Sequence, residues 1–191
     1  MNGSAGAGGP IPPELAERVR LVVFDVDGVL TDAGVYVGTT ESGEAVELKR
    51  FDIQDGLGLK LLQWAGVEVV MVSGRVSAAT ESRARELGVE CHQDGGAQKL
   101  PIVRSIMERM HIDWENVAML ADDLPDMAVF RHVGLKAAVA NAVPQILEVA
   151  DWRTAARGGR GAAREFCDAL LAARGDLEWV IQKYVDERSH P

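Results

Sequence analysis

A parallel α/β sheet with helices on both faces, a three-layer Rossmann-like arrangement, is the fold that these 191 residues predict, and three observations predict it. Short apolar, β-branched runs alternate along the chain with segments of helical spacing. The runs are continuously apolar, as strands buried on both faces of a parallel sheet require. Polar and acidic residues gather directly after them, where an open α/β sheet presents its ligand site.

Residues 1–17 begin MNGSAGAGGPIPP, and such a Gly-, Ala- and Pro-rich stretch is expected to form a flexible arm because it buries too little to offset ordering. Residues 18–175 are then expected to be one folded domain. Residues 19–24, 68–72, 117–121 and 135–140 read as strands, with a short segment at 89–92. Residues 58–65, 78–87, 98–110 and 126–131 carry helical spacing, each beside a Gly, Ser, Asp or Pro suited to a helix boundary. One segment breaks the alternation. Residues 34–38 and 45–51 flank an ESG turn and predict a β-hairpin at 34–51, inserted after the first strand and outside the main sheet. Arg157-Gly-Gly-Arg-Gly follows the last strand, then residues 162–173 have helical spacing. Residues 176–191 form a C-terminal tail whose stretch 177–185 continues with Trp179, Ile181 and Tyr184.

Composition excludes several classes. With 47% hydrophobic and 26% charged residues the chain suits one compact domain with an adequate core. Lys plus Arg total 20 against 29 Asp plus Glu, a net charge of −9, so neither nucleic acid nor an anionic membrane is an expected partner. An anionic substrate must be held by local groups. No apolar run approaches the roughly 18 residues of a membrane span, and residues 1–13 lack the basic start and apolar stretch of a signal peptide, so a cytoplasmic protein is expected. Cys91 and Cys167 are far apart and lack zinc-ligand spacing, giving neither a structural metal site nor a disulfide framework.

Four polar signals follow the strands. Asp25 and Asp27, in DVDGVLTD, are two residues apart, so on extended backbone they address one site. Ser73-Gly74-Arg75 is the second signal, Lys99 the third, and Asp122-Asp123 with Asp126 in ADDLPD the fourth. Each alone has an ordinary explanation: an acidic turn, a loop dipeptide, a solvated lysine, a helix cap. All four in order at successive strand ends point to chemistry. Converging carboxylates repel one another, and a hard divalent cation, magnesium, relieves that cost. A carboxylate can attack phosphorus to give an acyl-phosphate while a lysine, a hydroxyl and a backbone N–H neutralise the transferring group. A second carboxylate would protonate the leaving alcohol and later activate water.

DVDGVLTD, VSGR, Lys99 and ADDLPD together resemble the four motifs of the haloacid dehalogenase superfamily of aspartate-nucleophile phosphatases. The hairpin, the segment FDIQDGLG and the tail GGRGAAREFCDALL resemble its branch without a cap domain, typified by phosphatases of Kdo 8-phosphate. The resemblance implies a HAD-like fold and a magnesium-dependent phosphomonoesterase acting through an aspartyl-phosphate. It implies Asp25 as nucleophile, Asp27 as acid/base, and Ser73, Gly74 and Lys99 around the phosphate. It places magnesium on Asp25, the Asp27 carbonyl and Asp122, supported by Asp123 and Asp126. Arg75, Lys49 and Arg160 are the candidates for touching the sugar acid. A homotetramer is implied, each hairpin capping a neighbour's site, with Val35, Tyr36, Val37, Val46, Leu48 and Phe51 packed between copies. Nine-carbon nonulosonate 9-phosphates are the alternative substrates, though Arg75 favours Kdo 8-phosphate. A phospho-acceptor signalling module shares these residue types but not their order. Ala121 stands where the family usually has glycine, and Gln54 where its Kdo 8-phosphate phosphatases often have arginine.

Overall fold

A computed structural model describes residues 8–189. In chain order the elements are α1 (Pro13–Ala16), β1 (Leu21–Phe24), β2 (Tyr36–Thr39), β3 (Ala45–Leu48), α2 (Ile53–Trp64), β4 (Glu68–Ser73), α3 (Ala78–Leu87) and β5 (Glu90–Gln93). They continue with α4 (Lys99–Met110), β6 (Val117–Ala121), α5 (Met127–Phe130), β7 (Leu135–Ala138), α6 (Pro144–Val149), β8 (Trp152–Arg153), α7 (Ala162–Arg174) and α8 (Leu177–Ser189). Six strands make one parallel sheet in the order β5-β4-β1-β6-β7-β8. β1 lies between β4 and β6, with Leu21 opposite both Glu68 and Val117. Every residue of β1 and β6 is buried, which is why their sequences are apolar without alternation. The chain runs from β1 outward through β4 to β5 and then crosses to β6, so the order reverses beside β1. A crevice opens at such a switch point, beyond the carboxyl ends of the strands.

α7 touches α1, α2 and α8, α2 also touches α8 and α3, and α4 touches α5. α7 buries Phe166, whose ring meets Phe24 edge-on at 6.1 Å and Trp152 at 5.8 Å. Gly58 lets α2 approach α7: a Cβ there would stand 3.1 Å from the Arg164 backbone and 3.2 Å from Cys167. The β2–β3 hairpin is antiparallel, pairs Tyr36 with Leu48, and stays outside the main sheet as expected.

The flexible arm is corrected for residues 8–17, while residues 1–7 lie outside the described residues. Ile11 and Ala16 are fully buried, Trp152 Nε1 donates to the Gly9 carbonyl at 2.6 Å, and the Gly8 N–H donates to Arg153 O at 2.9 Å. Pro10, Pro12 and Pro13 lower the entropy lost on ordering, so few contacts suffice. α2 begins at Ile53 rather than 58 because the Asp52 carboxylate accepts the Gln54 N–H at 2.9 Å, and its two glycines obscure the helical pattern. α8 is held by Val180, which is fully buried, and by Tyr184 against Trp64, ring centroids 5.8 Å apart. β8, with two residues, and α6 had no readable period. Among the described residues no helix is long and apolar enough to cross a membrane.

Candidate active site

β1 delivers Asp25 in extended conformation to the crevice, and the chain then turns through residues 26–30. Gly28 makes the turn at φ +107°, and a Cβ there would lie 2.0 Å from Asp122 Oδ2. Only glycine both adopts that backbone and leaves the Asp122 carboxylate its place. Thr31 closes the turn, its Oγ1 donating to Val26 O at 3.2 Å and accepting the Gly28 N–H at 3.3 Å.

Lys99 opens α4 with its ammonium buried against two carboxylates. Nζ donates to Asp25 and, at 2.6 Å, to Asp126 Oδ1. Asp126 Oδ2 in turn accepts the Asp122 N–H at 3.3 Å. Burial alone would lower the Lys99 pKa, but Asp25 and Asp126 reverse this and raise it, so the lysine stays charged. Asp122 is pushed far above the carboxylate range by burial and then by the Asp25 charge. Burial and Asp25 raise Asp126 too, against the opposing pull of Lys99. One ammonium cannot balance three acids.

Oxygens of Asp25, Asp122 and Asp126 lie within 4.8 Å of one another. Asp122 Oδ1 is buried and has no hydrogen-bond partner among the described residues. Hard oxygen donors, excess negative charge and an orphaned carboxylate oxygen together fit a small divalent cation. Asp126 therefore stands nearer the cluster than its supporting part in the sequence reading implied. Asp123 is exposed and caps the next turn by accepting the Leu124 N–H at 2.7 Å.

Asp27 lines the same crevice. Its Oδ1 accepts from Lys49 Nζ at 2.6 Å and its Oδ2 from Ser73 Oγ at 3.0 Å. Ser73 is fully buried at the end of β4, and its Oγ accepts the Arg75 N–H at 3.0 Å. A cavity of about 210 Å³ is lined by Asp25, Asp27, Gly74, Arg75, Ala97, Lys99, Asp122, Asp123, Pro125 and Asp126. Larger hollows lie beside Arg104–Trp114, about 540 Å³, and beneath residues 8–13, about 760 Å³, and neither holds the cluster of three carboxylates found here.

The three candidate substrate contacts part company. Arg75 lines the cavity and reaches Glu47 of the hairpin at 2.8 Å. Lys49 does not line it, because its ammonium is buried on Asp27 with a side chain only 3% exposed. Arg160 does not line it either and sits 3.7 Å from Asp32. Phe51 is half-buried against the core with the Arg83 guanidinium over its ring, so it leaves the exposed hairpin set. Val35, Tyr36, Val37, Val46 and Leu48 are exposed.

Two features escaped sequence reasoning. The glycine pair at 158–159 is pressed onto the turn after β1: a Cβ on Gly158 would stand 1.7 Å from Gly28 O, and one on Gly159 2.4 Å from Thr31 C. Gly159 N–H donates to Val29 O at 2.9 Å, Gly158 N–H to Asn141 Oδ1 at 2.7 Å, and Arg50 donates to Gly159 O. Close backbone approach explains glycine there. Asp55, buried in α2, accepts the Arg164 N–H at 2.8 Å and so caps α7 from outside. Burial raises its pKa to about 6 against the Arg164 N–H, which lowers it. Ala121 causes no strain, since it lies inside β6 and outside the positive-φ positions.

A parallel sheet with an acidic crevice at its switch point defines the class. The family described as haloacid dehalogenase-like hydrolase matches residues 93–165. The 3-deoxy-D-manno-octulosonate 8-phosphate phosphatase of Salmonella typhimurium is 42% identical over 173 residues, 89% of this chain and 90% of its own. A probable YrbI family phosphatase from Pseudomonas syringae superposes with TM-score 0.83 at 43% identity, covering 91% of this chain and 96% of its own. The Moraxella catarrhalis 3-deoxy-D-manno-octulosonate 8-phosphate phosphatase, solved with magnesium, phosphate and KDO, has TM-score 0.83 and 33% identity, covering 90% and 97%. The chain belongs to the haloacid dehalogenase-like hydrolases, in the family of 3-deoxy-D-manno-octulosonate 8-phosphate phosphatases.

Proposed function

We propose that this chain is a magnesium-dependent phosphomonoesterase that hydrolyses 3-deoxy-D-manno-octulosonate 8-phosphate to Kdo and phosphate. The observation that carries the chemistry is that Asp25, on Lys99, and Asp27, on Ser73, line one cavity. Asp25 attacks phosphorus. Its oxygen–phosphorus bond forms as the ester bond to the sugar breaks, and Asp27 gives a proton to the departing oxygen. Water then attacks the aspartyl-phosphate, Asp27 takes the proton, and the Asp25–phosphorus bond breaks. Ser73 Oγ, the Gly74 N–H and Lys99 donate to the phosphoryl oxygens. Magnesium would be held by Asp25, Asp122 and the Asp27 carbonyl and would supply positive charge to the transferring group. Asp126 keeps Lys99 and the Asp122 backbone in place, and Asp123 supports the turn that carries Asp122.

A cavity of about 210 Å³ accommodates a phosphate but leaves a sugar acid outside it. The walls for the sugar come from a neighbouring copy in this reading, a homotetramer in which the hairpin, with Tyr36, Val37 and Leu48 exposed, roofs the next site. Arg75, at the cavity's edge, is the contact for the sugar acid. Cytoplasmic placement accords with Cys91 and Cys167, which form no disulfide.

Phosphate release measured on Kdo 8-phosphate, a nonulosonate 9-phosphate and a hexose phosphate, with and without magnesium, tests the proposal. The highest kcat/KM on Kdo 8-phosphate is expected, lost in EDTA and lost in Asp25→Asn. Preference for the nine-carbon substrate would replace the substrate; full turnover by folded Asp25→Asn would end the covalent mechanism.

A further inference from the structure

Hairpin strand β3 has two unlike faces. Val46 and Leu48 are exposed, whereas Glu47 and the following Lys49 turn toward the crevice, as alternation along an extended strand dictates. Glu47 Oε2 holds Arg75 of the loop after β4 at 2.8 Å. Lys49 goes deeper. Its ammonium is buried, 2.6 Å from Asp27 Oδ1, with Glu47 Oε1 the next acidic atom at 3.9 Å. A buried ammonium costs several kcal/mol unless a carboxylate stays against it, so the Lys49–Asp27 pair persists through any movement that leaves the hairpin in place.

Asp27 is thereby held at both oxygens, but by unequal partners. Ser73 Oγ has one hydrogen and two acceptors in reach, Asp27 Oδ2 at 3.0 Å and Arg75 O at 2.9 Å, and it is also the hydroxyl assigned to phosphate. It is free to release Asp27. Lys49 Nζ, by contrast, has Asp27 as its one hydrogen-bond partner among the described residues, Glu47 Oε1 being 3.9 Å away.

We propose that Lys49 is a positioning residue for proton transfer: it grips Asp27 by Oδ1 and so reserves Oδ2, the oxygen on the Ser73 side, for the proton exchanged with the leaving oxygen and with water. An oxygen already accepting from an ammonium is the poorer place for a proton, and a carboxylate anchored at one oxygen cannot turn away from the reacting atoms. This rests on the proposed acid/base role of Asp27. It also makes the hairpin part of the chemistry of its own chain, in addition to any roofing of a neighbour.

Leaving-group dependence tests it, because an alkyl ester needs its departing oxygen protonated and a p-nitrophenyl ester does not. Lys49→Met, and Lys49→Gln in case the first fails to fold, would be compared with Lys49→Arg and Asp27→Asn. The readouts are kcat and KM on Kdo 8-phosphate and the burst of p-nitrophenolate release from p-nitrophenyl phosphate. Lys49→Met and Lys49→Gln are expected to lower kcat on the sugar phosphate about 10–100-fold, within the range of general acid–base catalysis. KM should stay within about 3-fold and the burst rate nearly unchanged, with Lys49→Arg recovering part of kcat. A raised KM at constant kcat would make Lys49 a substrate contact and overturn the proposal. An equal loss in the aryl burst, or no loss at all, would overturn it also. If Asp27→Asn itself shows no leaving-group dependence, the acid/base reading fails and this proposal falls with it; if Asp27→Asn shows it and the Lys49 variants do not, this proposal fails alone.

Discussion

Replacing Gly158 by alanine should damage catalysis from a position that touches no substrate. Its φ is not in the left-handed region, so alanine meets no backbone penalty there, yet the new methyl would stand 1.7 Å from Gly28 O and 2.5 Å from Gly28 C. Ordinary van der Waals separation requires about 1.5 Å more, and neither contact can yield by rotating a side chain. The turn carrying Asp25, Asp27 and Gly28 must move relative to residues 157–161. Overpacking of this kind costs about 1–3 kcal/mol, and displacement of catalytic groups by about 1 Å costs about 100-fold in rate. A Tm lower by about 3–10 °C, with kcat/KM on Kdo 8-phosphate down about 100-fold, is the expected result. Gly161→Ala in the same loop is the control. Gly161 sits at φ +90° but a Cβ there meets only Gln54 Oε1 at 4.0 Å, so it should lose about 1–2 kcal/mol of stability and little activity. Thermal melts and steady-state kinetics on both variants decide the matter. Equal activity in the two, or wild-type kcat/KM in Gly158→Ala, would refute the claim that this loop sets the catalytic turn.

For the metal, isothermal titration should show Asp122→Ala weakening magnesium binding by about 100-fold or more and Asp123→Ala by less than about 10-fold, since only Asp122 has a buried, unpartnered oxygen in the cluster. Stability should carry a pH signature of Asp55. Its folded pKa, about 6, lies above the unfolded value, so the folded state keeps a proton that the unfolded state has lost. That interaction is favourable below about pH 4 and fades as pH rises through about 6, worth about 1–3 kcal/mol. Relative to Asp55→Asn, the wild-type Tm should therefore fall between pH 4 and 6.5 and run parallel above; a rising difference would contradict the sign. For assembly, Tyr36→Glu with Val37→Lys should shift sedimentation to monomers or dimers and reduce sugar-acid turnover more than aryl phosphate turnover; an intact tetramer would argue against the hairpin interface.

Much of the site was legible because its residues follow strands. Asp25, Asp27, Ser73, Lys99 and Asp122 are recognised by order along the chain, and a parallel sheet brings all strand ends to one crevice whatever the details of packing. The apolar runs of β1 and β6 likewise declare burial on both faces. Only the tertiary structure decided what those residues lean on. Lys49 reads as a hairpin cation available to substrate until the fold buries it on Asp27, a contact spanning 22 positions. Asp126 reads as a support for the metal until Lys99 meets it, and Gly158 as one member of a glycine-rich stretch until the chain returns onto Gly28. Residues 8–17 read as an arm because local composition says nothing about the groove in which Ile11 is buried. The division has one physical cause. Burial period and strand-end chemistry are local properties written into neighbouring residues, whereas ion pairing and close backbone approach depend on chain segments that only folding brings together.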